Sequence, residues 1–223
     1  MKLCVKTALG GLLAALLAAC AARGPAHVPA AGAETARAAG TQSQAAPNDD
    51  AEQRFQAALE LMKNNKSDDA RAAFAALAKD YPQYSGPLAD LGVLYARGNQ
   101  RQQALDSFAA AVAANPKNAF AYGWLGILYR ENGDYARAED AYRKALALNP
   151  NDATTHLNLG ILYDAYLKRP QEALTHYREY QRLSGDQARP IVAAWIRELQ
   201  DQLGGGASPA TPAVDAPGME HKP

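Results

Sequence analysis

The strongest constraint in this 223-residue chain is a period of 34. Gly92, Gly126 and Gly160 recur at that interval, as do Leu91, Leu125 and Leu159, and Tyr95, Tyr129 and Tyr163. Each set belongs to one L-G-x-x-Y motif. The intervals between the motifs are also in register: Ala104 and Ala138, Phe108 and Tyr142, Ala111 and Ala145, then Pro116 and Pro150. A period of this length marks one supersecondary unit repeated, each copy too small to bury its own apolar face and so obliged to stack on its neighbours. The outer copies are less regular. Residues 51–84 carry Ala58 in the glycine slot, with Ala70, Phe74 and Pro82 in theirs, while Leu61 replaces the tyrosine and Asn64-Asn65 the turn glycine. Residues 153–186 hold one extra residue, assigned to the turn Leu167–Pro170, so Ala173 and Tyr177 match only after a shift of one. Degenerate end copies are what a stack facing solvent at both ends requires.

The unit is helical. The chain has 50 alanines, and Phe, Trp and Tyr together make up only 8% of it. Alanine is the best helix former, whereas strands want β-branched and aromatic residues. Glycine and alanine at the recurring positions let two helices approach closely, and the large Leu, Tyr and Phe side chains fill the space beside them on one face. Asn115-Pro116 and Asn149-Pro150 stop the second helix of their units, and Asn118 and Asp152 stand where the next helix wants an N-cap. Gly98 and Gly133 are placed to close the first helices in a left-handed conformation. In residues 187–203, Ile191, Val192, Trp195, Ile196, Leu199 and Leu203 fall on one stripe, which predicts a final helix sealing the stack.

This pattern resembles the tetratricopeptide repeat (TPR), a pair of antiparallel helices. The resemblance covers residues 51–184 and implies an all-α TPR solenoid: repeats at 51–84, 85–118, 119–152 and 153–186, with a capping helix at 187–203. It also implies a binding surface, because in this family the first helix of each unit lines a concave groove. The expected groove residues are Phe55, Leu59, Val93, Arg97, Phe120, Ile127, Arg130, Leu157, Ile161 and Asp164. Ala89, Gly123 and Glu131 lie among them. The floor reads apolar and the rim charged, and the Lys/Asn clamp with which chaperone-binding members hold a terminal carboxylate is missing. The implied occupant is an amphipathic helix or extended apolar segment of a partner; the alternatives are the protein's own C-terminal helix or a second copy in a homo-oligomer. Trp124, Trp195 and the Tyr95–Tyr129–Tyr163 ladder read as packing.

The N-terminus reads as an address. Lys2 and Lys6 precede an apolar run from Ala8 to Ala19, too short to cross a bilayer core as a helix but suited to a signal peptide over residues 1–19. Leu17-Ala18-Ala19-Cys20 resembles the lipobox of bacterial lipoproteins. That resemblance implies cleavage before Cys20, lipidation of its sulfur, and, with Ala21 next, an outer-membrane anchor facing the periplasm. Residues 20–50 are rich in Ala, Gly, Pro, Thr and Gln and predict a flexible tether with an r.m.s. span of roughly 30 Å. Residues 204–223 read as a similar tail.

Several chemistries find no support. Lys+Arg and Asp+Glu both number 23, so the cation surplus that draws proteins to nucleic acid is missing. The two cysteines, Cys4 and Cys20, lie outside the repeats and cannot build a disulfide or thiolate site there. No H-E-x-x-H or G-x-S-x-G motif occurs. His156 takes the slot of Leu88 and Tyr122 and reads as a packing substitute, while His176 sits on a second helix, on the side that is convex in this family. No catalytic residue, metal or cofactor is implied. The functional expectation is a non-catalytic scaffold that positions envelope machinery of the pilus, secretion, cell-wall or TonB type. The alternatives are an accessory subunit with a peptidoglycan-binding or hydrolase-related role and a structural homo-oligomer.

Overall fold

The computed structural model describes residues 49–205; the expected signal, Cys20, the tether to residue 48 and the tail from residue 206 lie outside them. Among the described residues there are nine α-helices and no strand. They pair as α1 (Asp49–Lys63) with α2 (Ser67–Asp80), α3 (Ser85–Arg97) with α4 (Arg101–Ala114), α5 (Ala119–Glu131) with α6 (Tyr135–Leu148), and α7 (Ala153–Ile161) with α8 (Pro170–Ser184). Each second helix also packs on the next first helix, and α9 (Pro190–Leu203) packs on α8 in the same serial manner. The architecture is the all-α solenoid that the period predicts.

The periodic glycine is the closest point in each hairpin. A Cβ at Gly92 would lie 2.9 Å from the Phe108 ring, one at Gly126 2.5 Å from Tyr142, and one at Gly160 2.6 Å from Tyr177. All three are closer than a methyl group tolerates, and all three rings are fully buried. In the first hairpin the fully buried Ala58 and Phe74 take the same two positions. The aromatic ring then reaches into the neighbouring repeat. Phe108 stacks on Trp124, with centroids 5.5 Å apart and planes at 9°. Phe74 meets Phe55, which in turn packs on Tyr84. Tyr177 packs on Trp195 of α9. The core therefore forms overlapping clusters that straddle the repeat boundaries, the quasi-one-dimensional stack of repeat proteins.

The turns obey one rule with one exception. Asn118 caps α5 by accepting from the Ala121 N–H, and Asp152 caps α7 by accepting from the Thr154 N–H. Inside each hairpin one residue is left-handed: Asn65 (φ 58°), Asn99 (φ 56°), Gly133 (φ 79°) and Lys168 (φ 56°). Gly133 behaves as expected. Gly98 does not: its φ is −80°, and Asn99 turns the chain in its place, because asparagine tolerates this region. The equivalent hydrogen bonds are Lys66 N–H to Leu61 C=O, Gln100 N–H to Tyr95 C=O and Asp134 N–H to Tyr129 C=O, at 2.8–2.9 Å. In the fourth hairpin Arg169 N–H reaches one residue further, to Tyr163 C=O at 2.8 Å. The extra residue is thus not confined to the Leu167–Pro170 turn: α7 widens into a π-helix over Leu162–Leu167, absorbing the insertion within the helix, as π-bulges do. Tyr177 consequently regains its place under Gly160.

Three substitutions test this packing and its turns. Gly126→Ala forces a methyl into a ring that cannot retreat, and it should cost about 1–3 kcal/mol in urea unfolding despite the better helix propensity. Gly123→Ala, whose Cβ would meet only Thr155 Oγ1 at 3.4 Å, should gain about 0.5–1 kcal/mol. Lys168→Gly should stabilise the fourth hairpin by about 1 kcal/mol, since it relieves a lysine in a left-handed position.

Candidate functional site

The first helices α1, α3, α5 and α7 carry the expected groove residues except Asp164, which lies in the π-helix that continues α7. Phe55, Val93, Leu157 and Ile161 are buried in the hydrophobic clusters between helices. Leu59, Phe120 and Ile127 are half-buried, and Arg97 is exposed. The accessible apolar strip on this face is therefore narrower than the sequence pattern implies, and it is centred on Phe120 and Ile127 of α5. Phe120 stands edge-on to Trp124 at 6.4 Å. Trp124 is only 5% exposed, in keeping with a packing role. Tyr95 and Tyr129 are half-buried beneath arginines, Arg71 at 5.9 Å and Arg137 at 4.7 Å from the ring centroids. Tyr163 is fully inside, with Arg169 over its ring.

The polar chemistry gathers in the last two repeats. Four residues after each periodic glycine the chain presents Ala96, Arg130 and Asp164, so the two charged residues stand above the aromatic rings of their own hairpins. In the fourth hairpin the Tyr177 hydroxyl donates to Asp164 Oδ2 at 3.3 Å. In the third, Arg130 is 8% exposed. Its Nε and the Tyr142 hydroxyl are buried side-chain atoms without a hydrogen-bond partner among the described residues. Burial pushes the Tyr142 phenol far above its ordinary range, opposed by the neighbouring Arg130 cation. Nothing in the residue pattern marks these atoms as orphans, because their isolation depends on which carboxylates fall within reach after folding.

A second polar cluster joins His156, expected as a packing substitute, to His176, expected on the convex side. His156 Nδ1 lies 2.9 Å from His176 Nδ1, and His156 Nε2 lies 3.0 Å from the Pro150 carbonyl oxygen. His156 fills the expected slot, but as half of a hydrogen-bonded pair. Among the described residues no group of three or more His, Cys, Asp or Glu side chains could hold a metal ion, and no helix is long and apolar enough to cross a membrane.

Three overlapping segments, residues 55–119, 89–153 and 125–188, match a family model described as Tetratricopeptide repeat. The chain belongs to the tetratricopeptide repeat family. A comparison with curated proteins returns no match. Among solved structures, the TPR solenoid here is similar to MamA, at 23% identity and TM-score 0.56, over 65% of this chain and 84% of that one. It is also similar to PilF of Pseudomonas aeruginosa, at 20% identity and TM-score 0.60, over 70% of this chain and 69% of that one. The first TPR of Spaghetti (RPAP3), solved bound to an HSP90 peptide, matches at 21% identity and TM-score 0.50, over 54% of this chain and 93% of that one. At these identities the likeness is one of fold. The TPR fold supports a protein–protein interaction scaffold, a role in which domains of this type take peptides or proteins in a groove.

The orphan pair allows a direct test of this geometry. Tyr142→Phe removes a buried hydroxyl with no protein partner and installs the ring that Phe74 and Phe108 already provide in the earlier hairpins. It should be neutral or stabilise by up to about 1 kcal/mol in thermal or urea unfolding. Tyr177→Phe loses its bond to Asp164 and should destabilise by about 0.5–1.5 kcal/mol.

Proposed function

We propose that this protein is a non-catalytic adaptor, held to the bacterial outer membrane through a lipid on Cys20, that grips an envelope partner on the first-helix face. The observation that carries this reading is the half-buried apolar pair Phe120 and Ile127 on α5, left reachable where Phe55, Val93, Leu157 and Ile161 are buried. The apolar strip supplies the desolvated contact that anchors an interface. The best match to this strip is an amphipathic helix or extended apolar segment of a partner. The peptide-bound RPAP3 neighbour supports a peptide-sized occupant. The n-region, the short apolar run and the Leu17-Ala18-Ala19-Cys20 motif support the anchor, and the tether would let the solenoid stand off the bilayer. The envelope machinery served is of the pilus, secretion, cell-wall or TonB type.

Cross-linking in the native envelope should capture a partner through α5, and that partner's segment can then be titrated against variants. Phe120→Asp and Ile127→Asp, both at half-buried positions, should weaken binding at least tenfold while the helical CD signal is kept. Val93→Asp would report on folding instead, because Val93 is buried. Arg130→Met copies the residue that Met62 supplies in the first hairpin; it should leave stability unchanged or raised and binding unaffected. Unchanged affinity in both folded aspartate variants would exclude this face. For the anchor, mass spectrometry of the exported chain should find acyl groups on Cys20, and Cys20→Ser should release the protein from the membrane fraction.

A further inference from the structure

The two histidines that the adaptor reading leaves unused form a pair found only in the fourth hairpin. His156 stands at the fourth position of its repeat, where Leu88 and Tyr122 stand in the second and third. His176 stands where those hairpins have the small Ser107 and Ala141. The earlier repeats thus pair a large residue on the first helix with a small one on the second. The fourth replaces that combination with two rings, centroids 5.2 Å apart and linked Nδ1 to Nδ1 at 2.9 Å.

The geometry defines the protonation state. The Pro150 carbonyl can only accept, so His156 Nε2 must carry a proton and donate to it. A neutral His156 then offers a lone pair at Nδ1, and His176 Nδ1–H donates into it. His156 is 9% exposed, and His176 stacks on the buried Tyr163 ring, 5.6 Å between centroids with planes at 22°. We propose that this pair is an acid-sensitive latch: while both rings are neutral it ties α7 to α8, and added protons loosen the fourth hairpin together with the α9 helix packed on it.

The electrostatics around the pair point the same way. A first proton still leaves one N–H between the two Nδ1 atoms, because the neutral ring can accept there; a second proton sets two N–H donors head to head across 2.9 Å. A proton added to His176 creates a cation in a partly desolvated site, next to the other imidazole and the Arg143 guanidinium of α6. Arg143 itself reaches the Tyr163 hydroxyl at 3.2 Å, and that hydroxyl donates to Glu139 of α6 at 2.9 Å. Asp152, at the start of α7, is occupied by its own helix N-terminus. Glu172 and Glu179 on α8 favour the cation but are outweighed: burial first and His156 second push His176 down to about 4 from 6.5. The unfolded chain therefore binds more protons than the folded one between these values. Stability is held above about pH 6.5 and declines as pH falls toward 4.

The test uses the full-length protein with Trp124→Phe, which leaves Trp195 as its one indole. Trp195 packs on Tyr177 and reports on the junction of α8 and α9. Acidification from pH 7 to 5 should lower Tm by on the order of 5 °C, and further acidification through pH 4 should shift Trp195 emission to the red. His156→Tyr combined with His176→Ala rebuilds the Tyr122–Ala141 pairing of the third hairpin and should remove most of that pH dependence. A double variant with wild-type acid sensitivity would overturn the latch. The wild-type protein provides an independent measurement, because His176 followed by NMR should titrate well below pH 6. Titration near 6.5, or a Trp195 signal flat across this range, would also overturn it.

Discussion

Everything in this solenoid is built around the contact of a bare glycine backbone with an aromatic ring. Gly92, Gly126 and Gly160 let Phe108, Tyr142 and Tyr177 lie flat against their own first helices, at distances no side chain would permit. That approach sets the separation of the two helices in a hairpin. It also directs the ring outward to the next repeat, where Trp124 and Trp195 receive Phe108 and Tyr177. One interaction thus governs both the pairing within a repeat and the stacking between repeats. Dispersion and burial act together there, because a close-packed ring gains contacts on every side.

The fourth hairpin shows how strongly that contact is protected. A one-residue insertion would normally rotate everything after it by about 100° around the helix axis. Here the chain widens into a π-turn at Leu162–Leu167, and Tyr177 still arrives under Gly160. Poorer helical geometry over six residues, with a lysine in a left-handed conformation, is accepted so that the glycine–aromatic register survives.

Polar groups are unevenly placed along the stack. The first two hairpins put Met62 and Ala96 at the position where the last two put Arg130 and Asp164. In the earlier hairpins the ring below is Phe74 or Phe108, with no hydroxyl to satisfy. In the later ones it is Tyr142 or Tyr177, and the hydroxyl reaches the charged residue's level: Asp164 answers it, while Arg130 leaves two donors waiting. The solenoid is therefore chemically directional although its backbone repeats.

The period of 34 alone determined the helical hairpins, their number, the glycine–aromatic pairs and the caps at Asn118 and Asp152. Such features depend on spacing within one or two turns of chain, and spacing is legible in a linear text. Only the tertiary structure decided which apolar residues of the first helices remain reachable, since Phe55, Val93, Leu157 and Ile161 become buried through neighbours brought in by stacking. It also decided that Asn99 rather than Gly98 takes the left-handed turn, that the extra residue is taken up inside α7, and that His156 meets His176. Each of these outcomes is a competition among groups that share no fixed sequence interval. Local pattern reveals the candidates, but the winner depends on distances in three dimensions.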